Sequence, residues 1–254
     1  MMDSGNEGEA VQNAISRDLA VLRGTANYRE WIHRICVPFI GKRILEVGAG
    51  IGNYTEKLLG ADCVLATDVY PPYVRELARR FGSAANVKVS QLDVSCIEPQ
   101  AAARIMAERL DTVLMFNVLE HIADQPPCVR SLLSLIEPGG QVVVVGPAIP
   151  FLFNSLDRAY GHYRRHTVQE FRDLEREMQF RVVHARYFNI VGVAGWCLNG
   201  ALLRRAQLSV FQTRTFDLLV PLLRRVESVF PVGFGLSVVV VLRKVSGALP
   251  PEVT

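Results

Sequence analysis

From Arg43 onward, short β-branched runs alternate with segments whose apolar positions recur at helical spacing. The runs RILEV, CVLATD, VKVSQLD, TVLMFN and QVVVVG, separated by such segments, predict a parallel sheet covered on both faces. Val74, Leu77, Ala78 and Phe81 fall at i, i+3, i+4, i+7, as do Val129, Leu132, Leu133 and Ile136, so each set predicts a helix with one apolar stripe. Asp124 is placed to cap the second helix, Pro126 and Pro127 are tolerated in its first turn, and Pro138-Gly139-Gly140 is expected to end it before the next strand. Thr167 opens T-V-Q-E, a capping box with Glu170, and predicts a helix over 167–179. RVVHARYFN and LSVVVVLRK read as two further strands. The long segment between them, rich in Leu, Val, Gly and Trp, reads as an insertion suited to cap a substrate.

Apart from polar ends at 1–9 and 246–254, no linker, repeat or low-complexity tract divides the 254 residues, so one domain is expected. A net charge of only +3 gives no basic stripe for nucleic acid, which is set aside as a partner. The five cysteines are scattered and never in metal-ligand spacing, which predicts a reduced, cytoplasmic protein with no metal site. The first ten residues are polar and acidic, unlike a secretory signal. The mean hydropathy of +0.20 is high and demands either a deeply buried sheet or apolar surface. The longest apolar stretches, Phe188–Leu203 and Val229–Leu242, are interrupted by Asn189, Asn199, Pro231 and Gly235 and fall short of the ~18–20 residues of a membrane span, so none is expected.

The strongest chemical signal is LEVGAGIGNYT at 45–55, where a strand runs into a glycine-rich turn. Gly48, Gly50 and Gly52 let the backbone pass close to a ligand at the carboxyl edge of the first strand. A dinucleotide fingerprint is G-x-G-x-x-G, whereas here Asn53 holds the place of the third glycine, which favours another cofactor. Asp68 ends the second strand, where a carboxylate can accept both ribose hydroxyls of an adenosine-type ligand; that spacing alone fits NAD equally well.

With Asp68, QLDV at 91–94, TVLMFNVLEHI at 112–122 and EPGGQVVVVGPA at 137–148, the glycine turn resembles the successive motifs of class I S-adenosylmethionine-dependent methyltransferases. The resemblance spans residues 43–148 and implies a Rossmann-like α/β fold, a seven-stranded mostly parallel sheet with helices on both faces and its last strand antiparallel. It further implies a helical lid over 1–40, a cofactor-binding core over 41–148, and an acceptor-binding region over 149–254 with a helical insertion between strands six and seven. By the same resemblance Glu46 and Gly48 to Gly52 lie along the methionine moiety, and Asp68 with Val69 holds the ribose. Asp93 with Val94 takes the adenine, and Asn117 with Val118 lines the cofactor floor. In the lid, Tyr28 and Trp31 are candidates to cover the sulfonium, whose charge favours an aromatic face, although both also suit a core.

Methyl transfer needs an acceptor aligned with the methyl group and, for a hydroxyl, a taker for its proton. The segment PFLFNSLDRAYGHYRRHT after the fifth strand supplies candidates. His162 and His166 are candidate bases, as is His121 beyond strand four. Tyr160, Tyr163, Arg164 and Arg165 are candidate acceptor contacts, the arginines for phosphate or carboxylate. The C-terminal half is similar to bacterial methyltransferases of the methyltransferase-11/23 type found among envelope-glycan and lipid-linked-sugar pathways. Apolar segments at 188–203 and 216–223, each followed by paired arginines, suit a small anionic and apolar acceptor, a lipid-linked or phosphorylated isoprenoid or sugar. They equally suit helices packed on a core or homodimer surface, or peripheral membrane contact. The expected activity is transfer of a methyl group from S-adenosylmethionine, leaving S-adenosylhomocysteine, to a hydroxyl or carbon. An NAD(P)-dependent oxidoreductase on a similar fold, or a non-catalytic cofactor-binding module with a partner-facing insertion, stands as the alternative.

Overall fold

The computed structural model describes residues 4–205, 207, 209–229 and 233–245; the polar end at 246–254 and Pro231 lie outside them. Seven strands form one sheet: β1 Arg43–Val47, β2 Cys63–Asp68, β3 Val87–Gln91, β4 Leu110–Phe116, β5 Ile136–Pro147, β6 Phe180–Phe188 and β7 Ser237–Lys244. Their order is β3-β2-β1-β4-β5-β7-β6. The first five pair in parallel, and β7 runs antiparallel to both β5 and β6. The fold expected from the motif order is therefore the fold observed.

The valine-rich runs are continuous because both faces of the sheet are covered. Alternate residues enter two cores: Leu45, Val47, Val113, Met115, Val142 and Val144 pack on one face, and Ile44, Val64, Leu114, Val143 and Val145 on the other. β5 and β7 meet as Val143 against Val241, Val144 against Val240 and Val145 against Val239.

The flanking helices are α3 Pro71–Phe81, α4 Pro99–Ala107 and α5 Gln125–Ser134. In α3 the buried stripe is Tyr73, Leu77 and Phe81, while Ala78 is exposed, so the helix is turned from the expected face to bury its bulkier side chains. Asp124 occupies the N-cap position of α5 without a side-chain cap bond. Ile136 is already on β5, and Pro138-Gly139-Gly140 forms an irregularity inside that strand, between the Leu110↔Ile136 and Thr112↔Gln141 pairs. The helix thus ends before the turn signal, which serves as a bulge.

Five further helices shape the carboxyl edge: α1 Ser4–Arg23, α2 Ala26–Cys36, α6 Ser155–Ala159, α7 Val168–Glu175 and α8 Ile190–Trp196. α8 continues into a π-turn at Cys197–Leu202, and a long helix, α9 Val210–Val229, completes the insertion. Thr167 caps α7 through the Glu170 amide, but the Glu170 side chain bonds His166 rather than closing the capping box, and the helix stops at Glu175, short of 179. α9 fastens α2 and α8. Asp217 accepts from the Tyr28 amide at 2.8 Å, and Glu227 accepts from the Asn189 and Ile190 amides at 3.0 and 2.8 Å, so two buried carboxylates satisfy the amino ends of α2 and α8.

Candidate active site

The carboxyl ends of β1, β2 and β4 open into a cavity of about 830 Å³ roofed by α1, α2, α8 and α9. Its floor follows from the glycine turn. Gly48 and Gly50 take positive φ angles of 64° and 56°, a region that disfavours a side chain, and a Cβ on Gly48 would stand 2.4 Å from Val118 Cγ2. Asp68 ties the turn to β2: its Oδ2 accepts from the Gly50 amide at 2.8 Å and its Oδ1 from the Tyr70 amide at 2.9 Å. Burial raises the Asp68 carboxyl, opposed by those amide bonds. Glu46 is buried at the end of β1 and accepts from Thr55 Oγ1 at 2.6 Å; burial pushes its carboxyl up to about 8. Asn117 adopts φ 53° where β4 ends, a left-handed conformation asparagine tolerates.

Glu46, Gly48, Gly50, Asp68, Val69, Asn117, Val118 and Tyr28 all line the cavity. Others of the expected cofactor set do not. Gly52 is packed under α3, where a Cβ would meet Phe81 Cε2 at 2.3 Å. Trp31 is in the core, edge-on to Phe188 at 5.4 Å, because the face of α2 that carries it points to the sheet. Val94 is also a core residue, and Asp93 is exposed outside the cavity, its Oδ1 accepting from the Ser95 amide and hydroxyl at 2.9 and 2.6 Å. Tyr54, stacked on Phe116 at 4.2 Å, and Tyr70 and Tyr73 are further aromatic lining that the motifs did not single out.

On the acceptor side, α6 starts with a complete capping box between Asn154 and Asp157. Asp157 is fully buried, and its Oδ1 receives His162 Nδ1 and Arg165 Nε, each at 2.9 Å. These partners hold its carboxyl below the usual range despite burial. Arg165 also donates to the Ala148 carbonyl and lies over Trp196 at 4.6 Å. His162 and His121 meet edge to face at 4.8 Å, and Glu120 closes the group: one ligand-type atom from each of Glu120, His121 and His162 lies within 4.8 Å of the others. No signal in cysteine or histidine spacing foretold this arrangement, since His121 and His162 arrive from opposite sides of β5. Burial lowers His121, and the neighbouring His162 adds to that. Asp18 on α1 completes the wall, bonded to Tyr160 at 3.2 Å and raised to about 6 by burial.

Of the remaining acceptor candidates, His166 is fully buried outside the cavity, with Nδ1 on Glu170 at 2.6 Å. Tyr163 is exposed, and Arg164 reaches the Ala123 carbonyl on the far side of the loop. Among the described lining residues Arg165 is the one arginine or lysine, and Asp157 already neutralises it, while Asp18, Glu46, Asp68 and Glu120 face inward. The expected paired-arginine anion site is therefore not formed inside the cavity.

Comparison with known proteins identifies the family. The chain is 32% identical over 115 residues to a ubiquinone biosynthesis O-methyltransferase of Bordetella avium, covering 44% of this chain and 46% of that protein. It is 36% identical over 104 residues to one of Xanthomonas euvesicatoria, covering 40% and 41%. The matched part thus spans less than half the length of these relatives. A solved S-adenosylmethionine-dependent methyltransferase from Mesorhizobium loti superposes with a TM-score of 0.57 at 14% identity, covering 83% of this chain and 95% of that one. A Haemonchus contortus phosphoethanolamine N-methyltransferase, solved with phosphoethanolamine and S-adenosylhomocysteine, gives 0.58 at 16%, covering 91% and 44%. A family model described as a methyltransferase domain matches residues 21–185, well over half of the chain, and the protein belongs to that family.

Proposed function

We propose that the protein transfers a methyl group from S-adenosylmethionine to a hydroxyl of an amphiphilic small molecule. The observation that carries this reading is one continuous cavity lined both by the Gly48–Gly50 turn with Asp68 and by the His121–His162 pair. The fit to the cofactor rests on the close-approach turn, on Asp68 beside it, on Glu46 for a cationic group and on Tyr28 and Tyr54 as aromatic wall. When bound, S-adenosylmethionine supplies a methyl carbon on a sulfonium; as the acceptor oxygen bonds that carbon, the carbon–sulfur bond breaks and its electron pair stays on sulfur. The chain's own part is to orient the acceptor and remove its proton. Asp157 fixes the ring of His162, and the imidazoles and the Glu120 and Asp18 carboxylates are the proton takers facing the cavity.

The acceptor's apolar body is matched by Trp196, Val191, Phe216 and Leu219, all lining the roof. An anionic head would meet Arg205, bonded to the lining Asn199, rather than the cavity interior. The outer face of α9 leaves Leu218 77% exposed, with Leu222 and Val229 also exposed, which supports peripheral contact with a lipid surface that delivers the acceptor. No helix among the described residues is long and apolar enough to cross a membrane. The five free cysteines support a reducing, cytoplasmic setting. Calorimetric titration with S-adenosylhomocysteine and with NADH tests the reading: tight binding of the first is expected, and preference for NADH would replace it with the oxidoreductase alternative.

A further inference from the structure

We infer that Glu120, His121 and His162 form a binding site for a divalent transition-metal cation, which holds the acceptor's oxygen beside the methyl donor. The inference deepens the proposed function and rests on it for the cation's role, though not for its binding.

Glu120 is the starting point. It is fully buried, and neither carboxylate oxygen has a hydrogen-bond partner. An ionised carboxylate taken out of water is costly unless it is paired or coordinates a metal. Glu120 and His121 belong to one 3₁₀ turn, Leu119–His121, directly after β4, which places both at the carboxyl edge of the sheet. His162 enters from the loop after α6, and the three ligand-type atoms lie within 4.8 Å of one another. Two donors held at about 2.1 Å from one ion stand no more than about 4.2 Å apart, so the set closes on a cation with shifts of about 1 Å or less.

The outer bond of His162 points the same way. A ligating imidazole commonly donates its other N–H to a carboxylate or a backbone carbonyl, which fixes the tautomer and the ring. His162 gives Nδ1 to the buried Asp157 at 2.9 Å, leaving Nε2 to ligate. Two imidazoles and one carboxylate on one side of an open cavity are the donor set of zinc, manganese, iron(II) or cobalt, with positions left for exogenous oxygen. A hydroxyl on such a cation loses its proton more readily. With the imidazoles engaged as ligands, that proton would pass to water or to Asp18 on the same wall, the oxygen's lone pair would form the bond to the methyl carbon, and the sulfur would keep the electron pair of the broken bond.

The rival account is that Glu120 only balances the charge of Arg165, whose Nη2 is also unpartnered. Cobalt(II) titration of chelator-treated full-length protein separates the two. The expected result is one Co²⁺ per chain, seen as ligand-field absorption and displaced by Zn²⁺. Affinity should fall at least 30-fold in His162→Ala, His121→Ala and Glu120→Gln, fall 10- to 100-fold in Asp157→Asn, and be retained in His184→Ala, a histidine outside the cavity. Circular dichroism confirms that each variant is folded, and the two histidine variants decide the matter if Glu120→Gln is not. Absence of stoichiometric Co²⁺ in the folded parent, or binding unchanged in both His162→Ala and His121→Ala, overturns the site. S-adenosylhomocysteine binding measured on the same metal-free sample is independent: its loss with Co²⁺ retained sinks the methyltransferase reading, and the converse sinks the metal site.

Discussion

Glu46 offers the sharpest quantitative test of the cofactor end. Burial drives its carboxyl from 4.5 up to about 8, with the Thr55 hydroxyl pulling down and Asp68 pushing further up. At about 1.36 kcal/mol for each pH unit, ionising Glu46 in the free protein costs roughly 5 kcal/mol. A ligand that brings an ammonium group against Glu46 must therefore expel its proton. Below pH 8, affinity for S-adenosylmethionine should rise about tenfold per pH unit and level off above it. Calorimetry at pH 7 in two buffers of different ionisation enthalpy should show release of nearly one proton per ligand. Glu46→Gln should bind more weakly and lose that slope. Parent affinity that is flat between pH 6 and 8, or an equal slope in Glu46→Gln, would refute the reasoning.

The same displacement has a stability consequence whose sign is fixed. Because the folded-state value lies above the unfolded one, the native chain keeps a proton that the unfolded chain gives up from about 4.5. The contribution is fully present below that pH and is lost as pH rises toward 8. The difference in Tm between the parent and Glu46→Gln should shrink or reverse across that window.

Four further outcomes are expected. Gly48→Ala, at φ 64° and facing Val118, should lose roughly 1–3 kcal/mol in thermal melts and most of its S-adenosylhomocysteine affinity. Asp157→Ala strands the buried Arg165 and should cost about 3–5 kcal/mol in urea denaturation, whereas a surface-like loss under 1 kcal/mol would show that the pair is not buried in solution. Trp31→Ala should cost about 3–5 kcal/mol yet leave cofactor affinity within a few-fold, because Trp31 packs on Phe188 and not on the cavity. Leu218→Gln with Leu222→Gln should leave folding stability within about 0.5 kcal/mol but abolish co-sedimentation with anionic vesicles, and unchanged co-sedimentation would remove the lipid-facing role of α9.

What could be read from the chain followed from how local each cause is. The strands were legible because a sheet covered on both faces writes itself as unbroken valine runs such as Val142–Val145 and Val238–Val241. The glycine turn was legible because positive φ leaves a mark in residue type. The phase of α3 was not, since Ala78 and Tyr73 compete for the buried face and side-chain volume decides. Glu170 matched a capping box by spacing, but an imidazole at His166 offered its carboxylate a better partner than a backbone amide. The acceptor end was legible only as a cluster of suitable types. Which of them meet depends on the Asn154–Asp157 cap and on the packing of the loop across β5. That is why His162 faces the cavity with Glu120 while His166, four residues on, faces the core.

The high mean hydropathy has two separate physical origins, and only one of them lies in the core. The sheet accounts for the first, with Val238 to Leu242 fully buried. The second is α9, where Asp217 and Glu227 share the buried face with Val220 while Leu218, Leu222 and Val229 face outward. The burial of the two acids has a structural cause, because their carboxylates are spent on the amide ends of α2 and α8, which form part of the roof of the cavity. A helix bound to present its acids inward at Asp217 and Glu227 must turn its leucines outward. Those leucines adjoin Phe216 and Leu219, which line the cavity. The fastening of the roof and the apolar outer surface are therefore one arrangement, so an amphiphilic acceptor arriving along that surface would meet the cavity wall on the same helix.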